Sequence, residues 1–250
     1  MSLLNLSNVS FSYTAGKPVL YDINLTLAAG SNLGIVGESG SGKTTMLKLL
    51  LGLQRASAGQ VSFRGEALDI KNSGFMRGFR RSVQAVFQDP YSSLDPRQRV
   101  FDIIAEPLRS LKIETDIMQA VSQALAAVDL PADALRRYPH EFSGGQRQRI
   151  AIARAIVSNP DLIIADEVVS ALDLSTRARI IELLRDLSKR MTFVVVSHDI
   201  ALVALLCDQL IVLEKGRIVE QGATRDILAN PSHIYTQNLL ASTPRMPKAG

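Results

Sequence analysis

This chain of 250 residues contains a single cysteine, Cys207, and therefore cannot form a disulfide bond within itself. One cysteine suits a reducing compartment, and its place in the apolar run ALVALLC (201–207) predicts a buried side chain rather than a reactive thiol. No apolar run approaches the roughly 18 residues that cross a bilayer. The first basic residue is Lys17, so we expect no signal peptide and a chain that is soluble by itself.

Aromatic residues are also scarce, at 5% of the chain, and none alternates with the basic residues as a base-stacking groove requires. The net charge of +4 would permit an acidic partner. The basic residues are scattered, however, and we interpret them as ordinary solvated positions with no nucleic-acid partner. The arginines interpreted in this way are Arg77, Arg80, Arg81, Arg97, Arg99, Arg136, Arg137, Arg147 and Arg149.

Hydrophobic residues make up 46% of the chain, enough for a large core, and their spacing predicts a mixture of strands and helices. Apolar and polar residues alternate near the N terminus, which is typical of strands. The runs 161–166 and 192–197 are continuously apolar, as in a parallel sheet covered on both faces, and a helical stripe lies between them. From residue 90 to residue 157 the spacing is helical throughout, which predicts a helical insert.

The clearest motif is GESGSGKT, which fits the phosphate-loop pattern GxxxxGK[ST] between a predicted strand and a predicted helix. Backbone N–H groups of such a loop point inward, and the helix start adds partial positive charge. Lys43 would reach the outer phosphates, and the Thr44 hydroxyl suits Mg²⁺. The predicted nucleotide-binding residues are Gly37, Glu38, Ser39, Gly40, Ser41, Gly42, Lys43, Thr44 and Thr45.

Polar side chains follow the two apolar strands. Asp166 ends the first strand, where a carboxylate can hold a Mg²⁺-bound water, and Glu167 is placed to polarise an attacking water. His198 follows the second strand and could bond a γ-phosphate or steady Glu167. Taken alone these signals are weak, because acids often end apolar runs and a lone histidine is usually a satisfied surface or core residue. Gln88, after another short strand, says almost nothing by itself.

A second glycine-rich segment, FSGGQ, leads into a predicted helix. Ser143, Gly144 and Gly145 resemble a second site for an anion. The alternative is a serine-capped helix with a glycine-rich start. One nucleotide cannot easily require both this site and the phosphate loop from the same chain.

Taken together, SGGQ before a helix, ADE followed by SALD (170–173), a glutamine ahead of DP and a histidine after an apolar strand resemble an ATP-binding cassette (ABC) ATPase. The resemblance implies an α/β fold of one domain over residues 1–250. Its P-loop NTPase core has a mainly parallel sheet, with an antiparallel N-terminal β subdomain and an α-helical insert at 90–157. It also implies an enzyme that hydrolyses ATP with Mg²⁺.

The resemblance implies further roles for single residues. Two cassettes would pack head to tail, so that the signature of each closes over the ATP of the other. Tyr13 would stack on adenine, although an aromatic facing the core is the alternative. Asp173 would line the dimer interface with Ser170, or simply cap the following helix. The implied catalytic residues are Glu167, His198 and Gln88; the Mg²⁺ ligands are Thr44, Gln88 and Asp166; the signature residues are Ser143, Gly144, Gly145 and Gln146.

Three longer segments, 87–97, 138–155 and 233–242, resemble the peptide/nickel importer branch of the family. This implies a subunit that powers uptake of oligopeptides, dipeptides, nickel or metal chelates. Its partners would be a second, different ABC ATPase, two transmembrane permeases contacted through residues 91–99 and the insert, and indirectly an extracytoplasmic solute-binding protein. Its place would be peripheral, on the cytoplasmic face of the inner or plasma membrane.

The sequence departs from the branch pattern in places that concern the cargo. Val168 and Val169 replace a usual Pro-Thr pair, which resembles nickel and metallophore importers, and Ile234 replaces a common proline. A soluble ABC ATPase of a cytoplasmic complex, such as one like carbon–phosphorus lyase, remains the alternative. A P-loop kinase or switch GTPase would have no use for FSGGQ.

Overall fold

A computed structural model describes residues 2–14, 16–170 and 172–242, so that Ala171 of the SALD motif lies outside the described residues. The chain forms two compact units. The first takes the residues up to Leu68 and those from Val194 onward, and the second takes Asp69–Phe193. Within the described ranges, no helix is both long and apolar enough to cross a membrane.

Strands dominate the first unit and helices the second. The N-terminal part of the first unit contains β1 (Ser2–Thr14), β2 (Lys17–Ala28), β3 (Leu33–Val36), α1 (Lys43–Leu50), β4 (Ala58–Phe63) and β5 (Glu66–Ala67). The second unit contains α2 (Ser73–Ser82), β6 (Val83–Val86), α3 (Pro90–Ser93), α4 (Val100–Ser110), α5 (Ile117–Ala127), α6 (Gly144–Ile156), β7 (Leu162–Asp166) and α7 (Leu174–Leu187). After β8 (Thr192–Val196), the first unit continues with α8 (Ile200–Leu206), β9 (Gln209–Glu214), β10 (Arg217–Ala223), α9 (Thr224–Ala229) and α10 (Ile234–Ser242).

An antiparallel sheet of four strands, in the order β2-β1-β4-β5, forms one layer of the first unit. Val9 pairs with Ile23 across β1 and β2, and Leu6 pairs with Val61 across β1 and β4. These four side chains are buried, because the alternation of the strands turns every second residue toward the core. The predicted antiparallel N-terminal sheet is thereby confirmed.

The second sheet of the first unit is built around β3. Ile35 of β3 pairs in parallel with Val196 of β8 on one side and with Ile211 of β9 on the other, and β10 runs antiparallel to β9. All four residues of β3 are buried, as expected for a central strand covered on both faces. Because β3 and β8 are parallel, the segments after Val36 and Val196 emerge at the same edge of the sheet.

The second unit contains one parallel pair of strands and most of the helices. Val86 of β6 pairs in parallel with Ala165 of β7, so the residues after these strands also share one edge. Between residues 90 and 157, all of which are described, every regular element is helical, and α6 packs against α3, α4 and α5. The α/β class is confirmed, whereas the boundaries 90–157 of a separate insert stay a prediction.

Cys207 lies at the end of α8 and is buried, as predicted. Burial raises the pKa of its thiol far above the ordinary value, with a further contribution from the neighbouring Asp208 carboxylate. The thiol is therefore protonated and inert at neutral pH.

Candidate functional site

The phosphate-loop motif occupies the turn between β3 and α1, and two of its glycines are required by their surroundings. Gly42 has φ 110° at the N-cap of α1, where a Cβ would lie 2.8 Å from a methyl group of Leu20. A Cβ on Gly37 would lie 2.3 Å from the carbonyl oxygen of Leu213. Such close approach to β2 and β9 leaves no room for side chains, so the backbone of the loop has a fixed course.

The loop also presents polar groups that suit an anion. Among the described residues, no side chain caps the start of α1, and the buried Ser41 hydroxyl has no hydrogen-bond partner. The N–H groups of a first helical turn need an acceptor from outside the helix. The loop is held from behind by the Gly216 N–H, which donates to the Ser41 carbonyl at 2.8 Å. A phosphate group fits this arrangement because it supplies acceptors and negative charge together.

Lys43 is folded back over the beginning of the loop. Its Nζ donates to the carbonyl oxygen of Gly37 at 2.6 Å and to that of Glu38 at 2.9 Å. The ammonium group is therefore held at the loop. Thr44 is exposed, whereas Thr45 is buried. An exposed hydroxyl in the first turn of α1 is the kind of ligand that Mg²⁺ takes beside phosphate oxygens.

Tyr13 is exposed, unlike the apolar residues Val9 and Phe11 of the same strand. Its side chain is 54% accessible, while Val9 and Phe11 are buried, so the alternative of a core-facing tyrosine is not what the structure shows. The ring meets Phe11 edge-on at 4.8 Å between centroids, and the hydroxyl lies 3.4 Å from Thr45 Oγ1. Lys48 Nζ lies 5.6 Å from the ring centroid. The Tyr13 ring is accessible beside α1, and adenine stacking on it stays a prediction.

His198 follows β8 and is exposed. The next residue, Asp199, caps α8 by accepting the N–H groups of Ala201 and Leu202 at 3.0 and 3.2 Å. Since β8 is parallel to β3, His198 and the phosphate loop lie at the same edge of the sheet in the first unit. The cap directs the chain away into α8 immediately after the histidine.

The second unit brings together Gln88, Asp166, Glu167 and Ser170. Gln88 Nε2 donates to Ser170 Oγ at 3.3 Å, and this hydroxyl donates to the Glu167 carbonyl at 2.9 Å. Glu167 has φ 46°, a left-handed conformation that turns the chain sharply after β7. Its backbone holds the turn, so its carboxylate is not needed for these contacts. Asp166 is the last residue of β7 and is half-buried.

Asp173 caps α7. Its carboxylate accepts the Ser175 hydroxyl at 2.7 Å and the Thr176 N–H at 3.0 Å. These hydrogen bonds, from Ser175 first and then from Thr176, hold the pKa of Asp173 well below its usual range. The helix-cap interpretation is thus what the structure shows, and an additional role at a dimer interface stays a prediction.

The signature segment begins α6 with a reciprocal cap. The Gln146 N–H donates to Ser143 Oγ at 3.4 Å, and the Ser143 N–H donates to Gln146 Oε1 at 3.0 Å. The two glycines differ in their surroundings. A Cβ on Gly145 would lie 2.2 Å from Thr176 Cγ2, whereas a Cβ on Gly144 would meet nothing within 4 Å. Capping and internal packing therefore explain three of these residues but not Gly144, which faces open space.

Arg147 is buried, so its interpretation as an ordinary solvated position is wrong. Its guanidinium lies 3.7 Å from the ring centroid of Tyr91, and its Nε donates to the Pro139 carbonyl at 2.8 Å. Two turns further along α6, Arg154 donates to the Ser93 carbonyl. The signature helix thus holds the segment that follows Gln88. The signal in the sequence was the spacing of two arginines on one face of an apolar helix.

We expect Arg147→Ala to lower the free energy of unfolding by about 2 kcal/mol, because it removes a cation–π contact of a buried guanidinium and its hydrogen bond to the Pro139 carbonyl. Urea unfolding measures the loss. Arg97→Ala is the matched control, since the Arg97 side chain is 86% exposed and pairs with the Asp95 carboxylate at the surface. Equal stability of the two variants would contradict a structural role for Arg147.

Comparisons with known proteins agree with this geometry. A sequence model of the ABC transporter family matches residues 20–170. A putative peptide import ATP-binding protein of Brucella ovis is 44% identical over 248 residues, covering 98% of this chain and 78% of that protein. The oligopeptide transport ATP-binding protein OppF of Lactococcus lactis is 44% identical over 226 residues, covering 89% of this chain and 71% of that protein.

A solved structure shares the fold over nearly the same length. The ATP-binding cassette MJ0796, in a dimeric post-hydrolysis state bound to ADP and phosphate, superimposes with a TM-score of 0.79 at 30% identity. The match covers 89% of this chain and 99% of that one. The family match spans more than half of the chain, and the relatives cover most of it at 44% identity. The chain therefore belongs to the ABC transporter family.

Proposed function

We propose that this chain is the ATP-hydrolysing subunit of an importer that takes up oligopeptides or dipeptides. The observation that carries the proposal is the 44% identity, over 98% of the chain, to a protein named for peptide import. Nickel or a metal chelate remains the other cargo that the sequence suggested. Val168 and Val169, which suggested it by resemblance, are buried at 2% and 1% accessibility, so they bear on the cargo through that resemblance and not through contact with a solute.

Nucleotide binding is supported by the phosphate loop. A chain of phosphates suits the loop in four respects. The glycine backbone has a fixed course, the start of α1 has no side-chain cap, the Ser41 hydroxyl has no hydrogen-bond partner among the described residues, and the Lys43 ammonium is hydrogen-bonded at the loop. We assign Thr44, Gln88 and Asp166 to Mg²⁺, which neutralises phosphate charge when bound. Adenine stacking on Tyr13 and a hydrogen bond from His198 to the γ-phosphate complete the proposed binding set.

Hydrolysis is assigned to Glu167. A carboxylate accepts a proton from water and so raises the nucleophilicity of the oxygen that attacks the γ-phosphorus. Gln88 donates a hydrogen bond to Ser170, and Ser170 donates one to the Glu167 carbonyl. A displacement of Gln88 would therefore move the turn that carries Glu167. We propose that Gln88 couples the site to the helices of the second unit by this route.

We further propose that two cassettes pack head to tail, with Ser143, Gly144, Gly145 and Gln146 of one closing over the nucleotide of the other. Gly144 supports this, because nothing inside its own unit requires a glycine there. The dimeric state of MJ0796 supports it as well. Ser170 and Asp173 would line the interface. A different ABC subunit is the expected partner.

The second unit offers a surface for the permeases. A groove beside α4 is lined by charged side chains and by Tyr138, and it includes Arg97 and Arg99 of the segment 91–99 that the sequence suggested for this contact. We propose that a cytoplasmic segment of each permease occupies such a groove, which would hold the chain at the cytoplasmic face of the membrane. The residues that line the groove include Arg97, Arg99, Asp102, Glu106, Arg109 and Tyr138.

Recovery of the tagged chain from its own cells tests the proposed function. Membranes are solubilised in mild detergent, and the proteins that elute with the chain are identified by mass spectrometry. We expect two integral membrane subunits and a second ABC subunit, together with loss of labelled oligopeptide uptake when the gene is deleted. Recovery only within a water-soluble enzyme complex would contradict the proposal, and loss of nickel uptake with intact peptide uptake would contradict the cargo.

A further inference from the structure

The first peptide of the phosphate loop is held at both of its ends. The Gly37 carbonyl accepts Lys43 Nζ at 2.6 Å, and the Glu38 N–H of the same peptide donates to the hydroxyl of Tyr235 at 2.9 Å. In a trans peptide the carbonyl and the N–H point in opposite directions, so the lysine and the tyrosine lie on opposite sides of it. The tyrosine comes from α10, and 197 residues separate it from Glu38.

The chain just before Tyr235 is held by a carboxylate of β10. Glu220 of β10 accepts the Ser232 N–H at 2.8 Å, the Ser232 hydroxyl at 2.9 Å and the His233 N–H at 3.2 Å. Burial raises the pKa of Glu220, but the N–H groups of Ser232 and His233 and the Ser232 hydroxyl outweigh it and hold the pKa at about 2. The carboxylate therefore stays ionised and ties down the chain just before α10.

Without Tyr235 the first peptide of the loop could rotate. Gly37 has no Cβ, so its backbone tolerates conformations that are closed to other residues. A rotation of the Gly37–Glu38 peptide would turn its carbonyl away from Lys43 and remove the closer of the two carbonyl acceptors that hold the ammonium group. The Tyr235 hydroxyl opposes this rotation because it satisfies the N–H in one orientation only.

We propose that Tyr235 is a positioning residue for nucleotide binding. Through the Gly37–Glu38 peptide, it fixes where the Lys43 ammonium lies. The inference rests on the proposed function, since it assumes that the loop binds the phosphates of ATP. It gives the segment 231–242 a role in nucleotide binding, which the segment exerts through the phosphate loop and not as a direct ligand.

Tyr235→Phe tests the proposal, because it removes one oxygen and keeps the ring. We expect the Kd for MgATP to rise about 3- to 10-fold, the usual consequence of losing one hydrogen bond. KM should rise by the same factor, while kcat at saturating ATP stays within about twofold, because the loss affects binding rather than the chemical step. Faster hydrogen exchange of the Glu38 amide would report the lost bond directly.

Ile234→Ala is the matched control, since it lies on the same helix with a side chain that is 65% exposed. It should leave the Kd and the Glu38 exchange rate unchanged. A Tyr235→Phe variant that binds MgATP like the wild type would overturn the proposal, as would a lower melting temperature with no change in Kd. If Tyr235→Phe binds MgATP like the wild type and Lys43→Ala abolishes binding, only the role of Tyr235 is contradicted and the proposed function stands.

A double variant tests whether Glu220 acts through Tyr235. Glu220→Ala releases the chain before α10 and should weaken MgATP binding about as much as Tyr235→Phe does. If Glu220 and Tyr235 act on the same peptide, the double variant should bind MgATP with the same affinity as the single variant that binds it more weakly. Additive losses would contradict the route through Tyr235. A wild-type chain that binds no MgATP at all would instead contradict the proposed function.

Discussion

Glu167→Gln should lower ATP turnover at saturating ATP by at least about 100-fold, while MgATP binding stays within about threefold of the wild type. The amide cannot take a proton from the attacking water, so the chemical step loses its base. The fold should be unaffected, because glutamine has nearly the same size as glutamate and the hydrogen bond from Ser170 to the carbonyl oxygen of residue 167 is kept. Phosphate release measured over a range of ATP concentrations separates the two effects.

Glu182→Gln provides the matched control, with the same change of charge at an exposed position on α7 in the same unit. Its turnover should equal that of the wild type. Wild-type turnover in Glu167→Gln would refute the role of Glu167 as the base. A loss of MgATP binding as large as the loss of turnover would show that the residue holds the nucleotide rather than activates water.

Gly144→Asp should abolish ATP-driven association and the turnover that depends on it. At about 4 Å and an effective dielectric constant of 20, two unit charges interact by about 4 kcal/mol, so repulsion from a γ-phosphate would weaken association about 1000-fold. The variant should fold normally, because the new side chain enters open space and an acidic residue in a first helical turn is favourable. MgATP binding to the phosphate loop of the single chain should be unchanged.

Gly144→Asn separates charge from size, since asparagine has nearly the same shape without the negative charge. Sedimentation in MgATP compares the two variants in a hydrolysis-blocked background. We expect the asparagine variant to associate more tightly than the aspartate variant. Equal association of the two would contradict the electrostatic account, and full turnover of Gly144→Asp would contradict the assignment of the signature segment itself.

The parts of the site that local sequence determines could be predicted from it. The glycines and lysine of the phosphate loop mark the turn after β3, and Ser143 with Gln146 marks the start of α6, because caps and turns depend on residues a few positions apart. The sequence carries the same kind of capping signal for α8 in Asp199, but no helix was predicted from it. Asn72 likewise caps α2, where Gly74 and Gly78 weaken the helical pattern.

The rest depends on contacts between residues that are far apart in the chain. The burial of Arg147 follows from the position of Tyr91 over it, and the hydrogen bond between Glu38 and Tyr235 spans nearly the whole sequence. The distinction between Gly144 and Gly145 has the same origin, because only the packing of Thr176 shows which of them has room for a side chain. Periodicity and motifs carry no information about such neighbours.

The central claim is that a nucleotide is held between the phosphate loop of one cassette and the signature segment of another. Sedimentation velocity of the Glu167→Gln variant with MgATP, alone and mixed with the second ABC subunit recovered with it, tests this claim most directly. The claim predicts a dimer mass in at least one of the two samples and monomers when ADP replaces ATP. Monomers in both MgATP samples would contradict it.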